Sequence, residues 1–170
     1  EGIEEFKNLI ELDCGDNQLI SLDVSKNTNL TVLNCNKNQL TTIDVCNNTD
    51  LKTLHCNSNQ LTSLDVSDNT NLKTLHCNSN QLTSLDVSDN FSLDVLDCSS
   101  NQLAALELTN NSKLIWLKCG LNQLTTLDVS NNPDLKTLHC NSNQLTSLDL
   151  SFFYKDKIEY LVDSDVKIKI

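Results

Sequence analysis

Leucine returns on a fixed beat along almost the whole chain. Leu9, Leu30, Leu51, Leu72, Leu93, Leu114 and Leu135 are spaced 21 residues apart, and Leu12, Leu33, Leu54, Leu75, Leu96, Leu117 and Leu138 follow three residues behind. Two residues later comes cysteine (Cys14, Cys35, Cys56, Cys77, Cys98, Cys119, Cys140). Asparagine follows (Asn17, Asn38, Asn59, Asn80, Asn101, Asn122, Asn143), each with Gln and Leu after it. No insertion or deletion breaks the register over seven units, and residues 51–69 and 72–90 are identical, LKTLHCNSNQLTSLDVSDN. A period of this length marks an architecture of stacked repeats.

Within a unit, L-x-x-L-x-C-x-x-N-x-L-x-x-L-x-V-x-x-N divides into two similar halves. Each half carries a short apolar alternation, L-x-C or L-x-V, and then a polar turn rich in Ser and Asn, which predicts one short strand per half. A single unit cannot bury its leucines. Stacked coils turn them into continuous columns, with each strand paired to its neighbour in the next coil. At a spacing of roughly 4.8 Å per coil, seven coils and their ends make a rod roughly 40 Å long. Two strands per coil predict a main sheet and a narrower opposing ladder, with inner and outer arcs of similar length and shallow curvature.

The run LKTLHCNSNQL at 51–61 resembles the leucine-rich repeat, with cysteine at the third apolar position where leucine is more usual. The 21-residue unit with LDVSxN in its second half is similar to the repeats of internalins and other bacterial surface and secreted proteins. The resemblance covers 9–151. It implies a β-rich solenoid: a right-handed leucine-rich-repeat superhelix with a parallel sheet on its concave face and short extended segments opposite. It also implies a binding role and no catalytic activity. The expected organisation is an N-terminal cap over 1–8, seven repeats over 9–151, and a C-terminal cap or the start of a linker over 152–170. Ile3 and Phe6 are expected to lie over the first coil, Ile158 and Leu161 to belong to a degenerate coil, and VKIKI at 166–170 to cover the last coil or to lead into a following domain.

Eight cysteines in 170 residues would suggest a disulfide framework or a metal site. Their spacing argues otherwise. Seven occupy one inward position, where a thiol serves as a small hydrophobe. Side chains on in-register parallel strands sit farther apart than the roughly 3.5–4.5 Å between β-carbons that a disulfide needs, and point the same way. Cys46 alone lies outside this column, in place of the Ser of the V-S-x-N turn. The two asparagine columns, that of Asn38 and that of Asn27, Asn48, Asn69, Asn90, Asn111 and Asn132, are expected to satisfy the backbone at the corners, because an amide side chain both donates and accepts.

A net charge of −11 without a single arginine argues against nucleic-acid binding, and no apolar run is long enough for a membrane-spanning helix. Cofactors are not expected, a monomer is, and the expected location is secreted or at the cell surface. Specificity is expected in the outward positions flanking each second leucine. One row reads Glu11, Val32, Thr53, Thr74, Val95, Trp116, Thr137, and the other Asp13, Asn34, His55, His76, Asp97, Lys118, His139. The sixth unit departs most, with Ile115, Trp116, Lys118 and Leu121 where the others favour Lys, Thr, His and Ser. Trp116 is either a contact anchor or a packed surface side chain beside Val95. His55, His76 and Asp97 have metal-ligand chemistry, but duplication of one repeat accounts for the recurrence of His55, His76 and His139. Serines at turn positions and a repeated carboxylate column from Asp23 to Asp149 lack the context of a catalytic pair. Three functions follow as candidates: binding a protein partner, binding carbohydrate on Trp116, and acting as a rigid spacer.

Overall fold

A computed structural model describes residues 2–153 and 158–170. The first half of each repeat forms one three-residue strand: β1 (Glu11–Asp13), β2 (Val32–Asn34), β3 (Thr53–His55), β4 (Thr74–His76), β5 (Val95–Asp97), β6 (Trp116–Lys118) and β7 (Thr137–His139). Three further strands follow: β8 (Ser147–Asp149), β9 (Glu159–Leu161) and β10 (Lys167–Lys169). β1 to β7 and then β9 form one parallel eight-stranded sheet in the order β1-β2-β3-β4-β5-β6-β7-β9. From β1 to β7 the register places every residue beside its equivalent 21 positions on, so Leu33 lies next to Leu54 and His55 next to His76.

Why the strands are so short follows from the pattern. The middle leucine of β2 to β7 is buried and its two neighbours are half-buried, so only one residue per strand anchors the sheet. Behind it run the other columns: Leu51, Leu72 and Leu93, then Cys35 to Cys140, Leu40 to Leu145, and Val24, Val45 and Val66, all part of one continuous core. From Cys35 to Cys140 the ladder thiols are buried, Cys14 is half-buried, and all eight cysteines are free thiols.

The second half of the repeat departs from expectation. It forms no strand in the first six repeats, and the opposing ladder is reduced to β8 paired with β10 at the C-terminal end. Elsewhere one backbone bond per coil takes its place, such as Gln60 N–H to the Leu40 carbonyl at 2.8 Å. In six of seven coils the Oδ1 of the LDVSxN aspartate accepts the N–H two residues on, at 2.9 Å for Asp23 and Ser25, forming an Asx turn.

The corners are held by asparagine, in two different ways. Asn59 is saturated: its amide nitrogen donates to the carbonyls of Cys35 and Cys56, both at 3.0 Å, and its oxygen accepts from the N–H of Leu40 at 3.0 Å. Each member of that column from Asn38 to Asn143 repeats the scheme, tying three backbone groups from two coils to one side chain. The other column is only half satisfied. Asn48 donates to the carbonyls of Val24 and Asn27, yet the buried amide oxygens of Asn27, Asn48, Asn69, Asn90, Asn111 and Asn132 accept nothing. The expectation that both columns use donor and acceptor alike holds for the first only.

At the N-terminus, Asn27 donates to the carbonyls of Ile3 and Phe6 at 2.8 and 3.0 Å. Those partners lie 24 and 21 residues upstream, the offsets that link Asn48 to Val24 and Asn27. Residues 3–9 therefore trace the turn of one more coil, with Ile3 in the valine column and Phe6 in the asparagine column. Ile3 lines an open cleft together with Leu12, Leu19 and Leu22. Phe6, expected over the first coil, is instead 62% exposed, unlike the buried asparagines of the column it occupies. At the other end Phe153 stands in the same column and its N–H bonds Leu150 as Asn27 bonds Val24. β9 and β10 form an eighth, irregular turn: Ile158, Val162 and Ile168 pack on the core, Val166 is buried, and the lysines between alternate outward. Leu161, expected to share in this packing, is 49% exposed, since β9 pairs 22 rather than 21 residues after β7 and puts Tyr160 in the leucine position. Residues 154–157 of the segment assigned to the C-terminal end lie outside the described residues.

Candidate binding face

The parallel register aligns both outward rows as the repeats require. Val95 lies between Thr74 and Trp116, and Asp97 between His76 and Lys118. Lys118 in turn lies beside His139. All are half-buried, as befits side chains standing on a sheet among neighbours.

What the rows do not reveal is how the side chains lean. The rings of His55 and His76 stack with centroids 4.5 Å apart and planes 11° from parallel. Trp116 belongs to the other row and two strands away, roughly 9.6 Å by strand spacing, yet its ring centroid comes within 6.1 Å of His76 at a 38° tilt. The indole thus reaches over β5. Lys118 completes the group, its Nζ 4.5 Å from the centre of the Trp116 ring, a cation–π contact. The result is one ribbon of π-surface, His55–His76–Trp116, ending in an ammonium group. His139 takes no part in the stack.

Burial, and then repulsion from His76, lowers the His55 pKa below its ordinary 6.5, against a smaller upward pull from Asp13. His76 is likewise lowered by burial, opposed by Asp97 and reinforced by Lys118. Both shifts favour the neutral ring. Asp97 does not pair with Lys118. Its Oδ1 accepts the hydroxyl and the N–H of Ser99 at 2.6 and 3.1 Å, and Lys118 makes no ion pair among the described residues.

Ile115 immediately precedes β6 and Leu121 follows its end by three residues, exposed by 38% and 56%. Leu121 has φ 56, in the left-handed region, as do its equivalents Asp16, Lys37, Ser58, Ser79, Ser100 and Ser142. A turn of this hand after each cysteine carries the chain into the asparagine ladder. The preference for small polar residues there was visible in the repeat, but its backbone cause was not. Leucine is the one apolar residue in this column.

Other candidate chemistry is scattered. Among the described residues no group of three His, Cys, Asp or Glu side chains is placed to hold a metal ion, and the His55–His76 contact uses ring faces rather than ring nitrogens. Asp23, Asp44, Asp65, Asp86 and Asp128 have lowered pKa values because they accept hydrogen bonds from the residue two positions on. Cys46 is exposed in an open cleft with Asp44, Asp65 and Asp68, and its hydrogen bond to Asp44 raises the thiol pKa, the opposite of nucleophile activation.

One three-residue parallel strand per 21-residue coil, backed by columns of leucine and cysteine, defines a leucine-rich-repeat solenoid. A family model described as Leucine Rich repeats (2 copies) matches residues 49–90. No curated protein matches the sequence. Among solved structures, the functional domain of InlJ from Listeria monocytogenes, which includes a cysteine ladder, is similar at 31% identity and a TM-score of 0.70. It aligns with 98% of this chain, which spans 45% of that one. Internalin C2 from Listeria monocytogenes is similar at 28% identity and a TM-score of 0.85, over 99% of this chain and 74% of its own. A leucine-rich-repeat protein of Leptospira interrogans is similar at 27% identity and a TM-score of 0.65, over 84% of this chain and 45% of its own. The chain is a leucine-rich-repeat protein, internalin-like in its repeats and fold.

Proposed function

We propose that this chain is a non-enzymatic binding module of a secreted or cell-surface bacterial protein, and that it docks a protein partner on the face of its main sheet around Trp116. Repeats of this kind are generally protein–protein interaction modules. The observation that favours this face is the half-buried ribbon of His55, His76, Trp116 and Lys118, the only aromatic cluster among the described residues. Tryptophan and cationic side chains are enriched at the energetic centres of interfaces. The same geometry speaks against sugar stacking as the main role, since Lys118 already lies over the indole.

Trp116→Ala and the unaltered chain, both checked for folding, are to be applied to a host-protein array and a glycan array. Protein binding lost in the variant supports the reading. Glycan binding lost instead would establish the carbohydrate alternative. An unaltered chain that binds neither array would favour a rigid spacer.

A further inference from the structure

We infer that the partner meets this face with an acidic side chain set beside apolar ones, its carboxylate seated on Lys118. The inference rests on the protein-docking reading and names the chemistry of the partner.

Lys118 is the one lysine in the outward rows of the eight strands, in a chain whose net charge is −11. Its nearest opportunity for neutralisation is Asp97 on the adjacent strand, whose Oδ1 is engaged by Ser99. The two ion pairs among the described residues, Lys37 with Asp16 and Lys169 with Asp149, lie elsewhere. The Lys118 ammonium is held over the Trp116 ring, so it is positioned in advance of any partner and loses little freedom on docking. A half-buried, preplaced and unpaired cation is complementary to an anion.

The surroundings choose which anion. Ile115 and Leu121 present exposed apolar groups three residues before and three residues after Lys118. Leu121 does so from a left-handed backbone conformation that disfavours leucine, and every equivalent residue is polar. Phosphate or sulfate would leave these groups uncovered. A peptide segment with Asp or Glu between aliphatic or aromatic residues would cover Ile115, Trp116 and Leu121 while placing its carboxylate on Lys118.

The probe is a displayed library of random linear dodecapeptides, selected on the intact chain at pH 7 in low salt. Enriched peptides are expected to share an Asp or Glu flanked by apolar residues, and to lose at least roughly tenfold in affinity toward Lys118→Glu. Reselection on Lys118→Glu is expected to exchange the acid for Lys or Arg. Enriched peptides without an acid, or with unchanged affinity for Lys118→Glu, overturn the inference; if they still lose binding to Trp116→Ala, the docking face itself stands. Peptides indifferent to both substitutions overturn the docking face as well. A library that yields nothing, together with binding to sulfated or sialylated glycans, overturns the inference in favour of an anionic sugar, and a library that yields nothing at all overturns it outright.

Discussion

His55 and His76 face one another as parallel imidazoles, 4.5 Å between centroids, one coil apart. Burial is the main cost of charging either ring, and repulsion from His76 adds to it at His55. Both titrate below 6.5 in the folded chain and near 6.5 when it is unfolded. Between those values the unfolded chain binds more protons, so stability is highest above about pH 6.5 and falls as pH drops toward the folded pKa values. Urea midpoints at pH 8 and pH 5 are expected to show this loss. Replacing both residues with Gln should flatten that part of the profile, and an unchanged slope would contradict the assignment.

The asparagine columns should differ in what they withstand. Asn59→Ala strands the carbonyls of Cys35 and Cys56 and the N–H of Leu40 inside the coil, a cost on the order of 2–4 kcal/mol. Asn69→Ala strands only the carbonyls of Val45 and Asn48, and also removes an amide oxygen that had no partner. Denaturant titrations of the two variants are expected to place Asn69→Ala as the milder. Equal losses would mean that the orphan oxygen is satisfied in solution.

The thiols form a buried reserve of protons. Burial raises Cys35 to about 12 and Cys140 to about 11, and holds Cys56, Cys77, Cys98 and Cys119 well above the ordinary 9.0. Their contribution to stability is complete below the ordinary value of 9.0 and is lost as pH rises through the folded values. Steep alkaline unfolding is expected. A thiol reagent at neutral pH should label Cys46 quickly and Cys14 slowly, with the remainder reached only in denaturant; Cys46→Ser should remove the fast phase.

Leu121 sets stability against binding. Leu121→Asn places a residue tolerant of the left-handed region at φ 56 and is expected to stabilise the fold by about 0.5–1 kcal/mol. It also removes an apolar flank of the proposed docking face, so peptide affinity should fall as the melting temperature rises. A variant that gains stability and keeps its affinity would remove Leu121 from the face.

The register of the sheet was legible because side-chain alternation along seven strands with the same central leucine leaves only one way to stack them, and so Val95, Trp116, Asp97 and Lys118 lie where the outward rows put them. The missing second strand was not legible. L-x-V alternation is as apolar as L-x-C, yet the second half of each coil shares only one backbone bond with the next, which alternation alone does not foretell. Nor do the rows foretell that Trp116 crosses β5 to His76, since rotamer choice depends on neighbours in three dimensions rather than on period. Ile115 and Leu121 are exposed and His139 is half-buried, and none of the three joins the aromatic ribbon.

Asn27 binds the carbonyls of Ile3 and Phe6 with the same offsets that Asn48 uses for Val24 and Asn27, so every coil joins its predecessor through one interchangeable seam. A chain with interchangeable seams can change length by recombination. Crossing over between the identical stretches 51–69 and 72–90 would remove or add 21 residues and leave no mismatched junction. Loss of one such unit would leave a single imidazole beside Trp116 where two now stack; gain of one would lengthen the ribbon. The genetic event that sets the number of coils therefore also tunes the face they present.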